Sequence, residues 1–166
     1  MNVLIVFHSS RGQTEHVALA VGVGAIQARA SIRLRRLPPG PAVDLEAMTA
    51  QQRGNFERMA RDYVAPRQAD PLWADVVILA TSLDGARDVA AYVEQLPALG
   101  TVAGKVAAPL TSGDSPDVLR SIYAAAANAG LIVVPSQTRL DSTDARQAYG
   151  RQAVEIARAV KGAGPR

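Results

Sequence analysis

Ser9, Ser10 and Thr14 place hydroxyls around Gly12 in the stretch Ser9-Ser10-Arg11-Gly12-Gln13-Thr14, directly after the apolar run Val3 to Phe7 and directly before helix-forming sequence. A turn of this kind can hold a phosphate. Its hydroxyls donate hydrogen bonds, its glycine lets the backbone turn tightly, and its N–H groups end at a helix N-terminus with partial positive charge. The plainer reading is a well-capped turn, since serine and glycine are common wherever a strand meets a helix. Two later loops also follow apolar runs: Thr81, Ser82, Leu83, Asp84 and Gly85, then Thr111, Ser112 and Gly113. The second also reads as the N-cap region of the next helix.

Other chemistries lack their residues. There is no cysteine, so disulfides, thiolate metal sites and thiol nucleophiles are excluded. His8 and His16 are the only histidines, which rules out a histidine-rich metal site and leaves a serine-histidine triad little to work with. No lysine follows a glycine-rich turn as a P-loop requires. Gly22-Val23-Gly24 begins like a dinucleotide fingerprint, but it sits inside the first helix and reads as helix packing. A phosphoacceptor receiver domain would need an acidic pair after the first strand and an aspartate ending the third. His8-Ser9 and Ala80 stand there instead.

The elements that must position these loops alternate along the chain. Strand patterns cover Val3 to Phe7, Ile32 to Leu37, Asp75 to Ala80, Lys105 to Leu110 and Leu131 to Val134. Helical patterns cover Gln13 to Arg29, Ala86 to Gln95, Ser115 to Ala129 and Ser142 to Lys161, with an extra helix expected within Leu45 to Tyr63. Strands separated by helices imply a parallel sheet with helices on both faces. The continuous apolar run Val76 to Ala80 suits a central strand buried on both sides. Ligands of such sheets bind beyond the carboxyl ends of the strands, where all three hydroxyl loops fall. Pro109 is out of place inside a strand, because it donates no ladder hydrogen bond.

Eighteen basic residues face fifteen acidic ones and are spread along the chain, so a nucleic-acid partner is not expected. The densest basic stretch, Arg33, Arg35 and Arg36, alternates with Ile32 and Leu34 as on a half-buried edge strand whose charge blocks edge-to-edge pairing. The alternative is contact with an anion such as a nicotinamide dinucleotide phosphate. No segment has the length of a membrane span and the start lacks a signal-peptide pattern, so one cytoplasmic domain over residues 1–166 is expected.

The loops and strands together resemble the flavodoxin-like family, in particular its FMN-dependent NAD(P)H:quinone oxidoreductases related to the tryptophan-repressor-binding protein. Ser9 to Glu15 is similar to the family's Ser-x-Thr-Gly-Asn-Thr-Glu phosphate loop. Ala74 to Ser82 resembles the strand ending in Gly-Thr-Pro, Gly104 to Gly113 the fourth strand and its loop, Asn128 to Pro135 the fifth strand, and Tyr149 to Ala157 the last helix. The resemblance implies a doubly wound five-stranded parallel α/β sheet of order 2-1-3-4-5. It implies that Ser9, Ser10, Arg11, Gly12, Gln13 and Thr14 cradle the FMN phosphate. Thr81, Ser82, Leu83, Asp84, Gly85, Thr111, Ser112 and Gly113 would border the ring and ribityl chain. The implied activity passes electrons from NAD(P)H through flavin to a quinone or similar acceptor, with a flavodoxin-type electron carrier and a flavin-free binding module as alternatives.

The chain departs from the family at the ring. Its seven aromatics, Phe7, Phe56, Tyr63, Trp73, Tyr92, Tyr123 and Tyr149, all lie outside the two ring-bordering loops. Ser82 replaces the family's proline, and Ser136 to Arg139 stands where a glycine-rich insertion is usual. A homo-oligomer in which Tyr63 or Trp73 of a second copy supplies the aromatic is one way to complete the site.

Overall fold

The computed structural model describes residues 1–40, 44–136 and 140–163, so the polar residues 137–139 lie outside the described residues. Five parallel strands, β1 (Asn2–Phe7), β2 (Ser31–Arg36), β3 (Val76–Thr81), β4 (Val106–Thr111) and β5 (Ile132–Val133), form one sheet in the order β2-β1-β3-β4-β5. This is the sheet and strand order that the sequence implied. The switch in strand order falls between β1 and β3, so their carboxyl ends open a crevice.

Each crossover is a helix: α1 (Gln13–Gln27), α2 (Ala50–Asp62) with the short α3 (Ala69–Trp73), α4 (Ala86–Leu99) and α5 (Pro116–Asn128), and α6 (Thr143–Gly162) closes the chain. Val3, Ile5 and Phe7 point into the core shared with α1 and α6, while Leu4 and Val6 point into the core shared with α4 and α5. The central strands are therefore buried on both faces. Each buried Val, Leu, Ile or Phe side chain contributes about 1.5–3 kcal/mol.

α1 and α6 cross closely enough that a Cβ on Gly24 would lie 2.0 Å from the Gln147 carbonyl oxygen, and one on Gly150 would lie 2.1 Å from that of Val21. The glycine pair in α1 is thus a packing device, as its position inside the helix predicts.

Several boundaries differ from the sequence expectation, each for a local reason. α2 begins at Ala50 rather than within Leu45 to Thr49, because Thr49 forms a capping box with Gln52: the Thr49 hydroxyl accepts from the Gln52 N–H and the Gln52 side chain accepts from the Thr49 N–H. α4 runs past Gln95 to Leu99 with Pro97 in its last turns, then stops at Gly100, whose φ is 143°. The expected fifth strand shrinks to Ile132–Val133. Here Pro109 explains the length: Ile132 donates to Lys105 and Val134 to Ala107, and the next rung would need the N–H that Pro109 lacks. The Tyr149 hydroxyl instead lies 2.9 Å from the carbonyl oxygens of both Pro109 and Val134.

β2 is the edge strand, but Arg33 and Arg35 do not form a free basic outer face. Both reach Asp70 of α3, with N···O distances of 3.0 and 2.7 Å, and the Arg33 guanidinium covers the Trp73 ring at 4.0 Å. Burial alone would raise the Asp70 pKa, but the bonds from Arg35, Arg67 and Arg33 outweigh it and hold the carboxyl below its ordinary value.

Candidate functional site

β1 ends in Phe7 because the next residues must leave the sheet and turn into α1. The turn is completed by Gly12, whose φ of 99° lies in the left-handed region that favours glycine. Gly12 is also the N-cap of α1, and no side chain caps that helix. Its first N–H groups therefore remain available to a ligand. Ser9, Ser10 and Thr14 are all buried, whereas Arg11 and Gln13 are exposed. The Ser9 hydroxyl accepts from the Gly12 N–H at 3.0 Å and so shapes the turn.

The Thr14 and Ser112 hydroxyls lie 3.0 Å apart, which joins the first loop to the loop after β4. The Ser112 N–H donates to the Thr81 carbonyl at 2.9 Å, which joins the loop after β4 to the one after β3. The structure thus brings all three sequence-predicted loops to one end of the sheet. Within them Thr81 is buried and donates to the Ser82 carbonyl at 2.9 Å, and the Thr111 hydroxyl donates to the Gly113 carbonyl at 2.5 Å. Leu83, Asp84 and Gly85 form one turn of 3-10 helix, with the Leu83 side chain 70% exposed.

The first loop is braced by residues that the sequence reading did not assign to the site. Arg36, at the carboxyl end of β2 and 5% exposed, donates from Nε and Nη2 to the Ser9 carbonyl at 3.3 and 3.0 Å, with its guanidinium over the Phe56 ring at 5.0 Å. Burial lowers the Arg36 pKa and Glu15 opposes that effect. Among the described residues no carboxylate lies within ion-pair distance of Arg36. Asn55 of α2 reaches the Arg11 carbonyl at 3.5 Å.

Glu15, 3% exposed, accepts from Arg58 at 2.9 and 2.5 Å and from the Tyr63 hydroxyl at 2.6 Å. Burial would raise the Glu15 pKa, but the bonds from Arg58 and Tyr63 win and hold it low. The Tyr63 hydroxyl is pushed up to about 12 by burial and by Glu15. Arg36 stood out in the sequence only as part of a basic strand. Nothing in the spacing linked Asn55, Arg58 or Tyr63 to a loop more than forty residues earlier.

Aromatic cover is absent from the ring-bordering loops, as their sequences require. Tyr63 meets Phe7 edge to face at 5.0 Å and bonds Glu15, and Trp73 carries Arg33. Both side chains thus make these contacts within the chain. A cavity of about 340 Å³ opens at the loop after β4, lined in part by Thr111, Ser112, Gly113, Leu140 and Arg146. Among the described residues no cluster of histidine, aspartate and glutamate could hold a metal, and no helix is long and apolar enough to cross a membrane.

No family model and no curated protein matches the sequence. Solved structures do match over nearly full length. A flavodoxin from the domain Archaea is 16% identical, with 97% of this chain and 99% of that one covered at a TM-score of 0.58. Flavodoxin 2 from Bacillus cereus, in its oxidised form, is 17% identical, with 94% and 99% covered at 0.56. A short-chain flavodoxin associated with a bacterial microcompartment is 13% identical, with 95% and 99% covered at 0.56. At such identities the likeness concerns architecture. Together with the strand order 2-1-3-4-5 and helices on both faces, it shows that the chain has the flavodoxin-like fold.

Proposed function

We propose that the chain binds FMN with the phosphate in the Ser9–Thr14 loop and serves as a flavodoxin-type electron carrier. The observation that carries this reading is the set of donors at the end of β1. An α1 N-terminus without a side-chain cap, buried hydroxyls of Ser9, Ser10 and Thr14, and a buried Arg36 with no carboxylate against it converge on one turn. Those groups fit a phosphate: helix N–H dipoles and a low-dielectric cation favour an anion, and hydroxyls complete its hydrogen bonds. The one carboxylate of the first helical turn, Glu15, is occupied by Arg58 and Tyr63 and does not oppose it.

The ring end fits more loosely. Leu83 offers an exposed apolar face, Thr81 and Thr111 sit on adjacent strands, and Asp84 adds a carboxylate. Bound flavin would supply the electron-accepting chemistry. The chain's own part is to hold the phosphate, to keep the loops after β3 and β4 in register through Ser112 and Thr81, and to leave one edge open for a redox partner.

The narrower reading, an oxidoreductase moving electrons from NAD(P)H to a quinone, stays a second proposal. The carrier is favoured because the flavodoxins that match this chain are covered over 99% of their own length. Titration with FMN, followed by quenching of flavin fluorescence, tests the common core. Saturable quenching is expected, and its absence ends both readings. Stopped-flow mixing of the loaded protein with NADPH then separates them: persistent yellow is expected for the carrier, and rapid bleaching favours the enzyme.

A further inference from the structure

His8 follows β1 directly, at the start of the loop, and it is 2% exposed. Its main-chain N–H still donates to Ala80 of β3. Its ring lies under the turn Leu83–Gly85: a Cβ on Gly85 would fall 2.0 Å from Nδ1 and 2.3 Å from Cγ, so only glycine admits the imidazole there. Nε2 lies 3.4 Å from the Asp88 carboxylate of α4. Nδ1 has no partner, and among the described residues it shares that condition with one other buried side-chain atom, the Tyr92 hydroxyl oxygen.

The charged groups around this ring act in opposite directions. From α4 comes Asp88 and from the turn Asp84, which sits next to Gly85; both favour an imidazolium. From β2 comes Arg36, which opposes it, and β3 brings no charge. Burial is the largest effect and keeps the ring neutral, lowering its pKa from 6.5. A neutral ring with its proton on Nε2 faces Asp88 at 3.4 Å and leaves Nδ1 idle. An imidazolium would face Asp88 at Nε2, with the charge of Asp84 on the adjoining turn adding to its stabilisation. Arg36 also grips Ser9, so it belongs to the anion loop as well. An anion seated in that loop offsets the field of Arg36 at His8.

We propose that His8 takes up a proton when a phosphate-bearing ligand occupies the Ser9–Thr14 loop, and that the charged ring is then held against Asp88. Ligand and proton binding reinforce one another, because a coupling free energy is the same read from either site. The histidine thereby links the phosphate loop to the turn that borders the ring. This inference rests on the reading that the loop takes the FMN phosphate.

The test follows the His8 ring signals by NMR across pH in the wild-type protein, free and saturated with FMN, with the signals assigned against His16→Gln. The His8 midpoint is expected to move up on saturation. In parallel, FMN affinity is measured at about pH 8 and about pH 5.5. The wild type is expected to gain roughly threefold at the acid value relative to His8→Gln, which carries the same titration of the FMN phosphate itself. Asp88→Asn, a change at a partly exposed side chain, is expected to shrink that gain and lower the midpoint. FMN binding with an unmoved His8 midpoint overturns the proposal and leaves FMN binding intact. Failure of FMN to bind at either pH overturns both.

Discussion

The Ser9–Thr14 loop is gripped by side chains from two other elements, Arg36 of β2 and Asn55 of α2, and its first helical turn is anchored through Glu15 to Arg58 and Tyr63. The turn Leu83–Gly85, which borders the other end of the candidate site, rests on one neutral histidine ring and carries its apolar side chain in solvent. One end of the site is prepared before any ligand arrives, and the other is left to adjust. For the proposed FMN phosphate, a preformed cradle would supply affinity at low ordering cost.

The largest expected effect comes from breaking the braced end at its centre. Glu15→Ala leaves the Arg58 guanidinium without its carboxylate and the Tyr63 hydroxyl without its acceptor. It should lower thermal stability at neutral pH more than a substitution at Gly85, Thr14, Leu83 or Gly113 does. The pH dependence follows from the lowered Glu15 pKa. The unfolded chain binds the proton first, so the stability due to Glu15 is complete above about 4.5 and is lost as pH falls through the lower folded value. Urea unfolding between pH 6 and pH 3 should therefore show a shallower loss in Glu15→Ala than in the wild type. Parallel profiles would mean that the brace carries no charge-dependent stability.

At the adjustable end, Gly85→Ala drives a methyl group into the His8 ring. A cost of about 1–3 kcal/mol is expected, because overpacking a buried side chain forces it or the backbone to shift. Unchanged stability would show that the turn is looser than its contact with His8 implies.

Both experiments act on contacts of different legibility. The sheet could be read from the sequence because parallel strands announce themselves locally: Val76 to Ala80 is apolar throughout, and each loop is marked by glycine, serine or proline. The turn from Ser9 to Thr14 was legible for the same reason. Its braces were not, because Arg36, Arg58 and Tyr63 meet the loop only after two crossovers have folded, and an arginine in an alternating strand looks solvated until its partner is known. Asp70 gave no sign that it would pair with Arg33 and Arg35 from a five-residue helix. His8 was visible as one of two histidines and as the residue standing where a receiver domain would need an acidic pair. Its significance depends on Gly85, seventy-seven positions away in the chain, and no periodicity connects them.

Thr14→Val tests whether the braced end does what its donors suggest. The valine keeps the shape and removes the hydroxyl that meets Ser112. FMN affinity should fall about tenfold, equivalent to about 1.4 kcal/mol, the scale of one hydrogen bond to a charged acceptor. Unchanged affinity would place the phosphate elsewhere. Leu83→Trp works in the other direction, since it supplies an aromatic face where the chain has none. A gain of about 0.5–1.5 kcal/mol in FMN binding is expected if the ring lies beside this turn. No gain would move the ring away from Leu83.

The smallest structural effect is expected at Gly113, and that makes it the sharpest probe of the open border. A Cβ there meets nothing within 4 Å, and the residue has no left-handed φ to protect. Gly113→Ala should change folding stability by no more than about 0.5 kcal/mol, as ordinary surface substitutions do. Because the fold is indifferent to this methyl group, any loss of FMN affinity has to come from the ligand itself pressing on Gly113. A weakened Kd with an unaltered urea midpoint would put the flavin between the loops after β3 and β4. An unaltered Kd would leave the phosphate turn as the whole of the binding site.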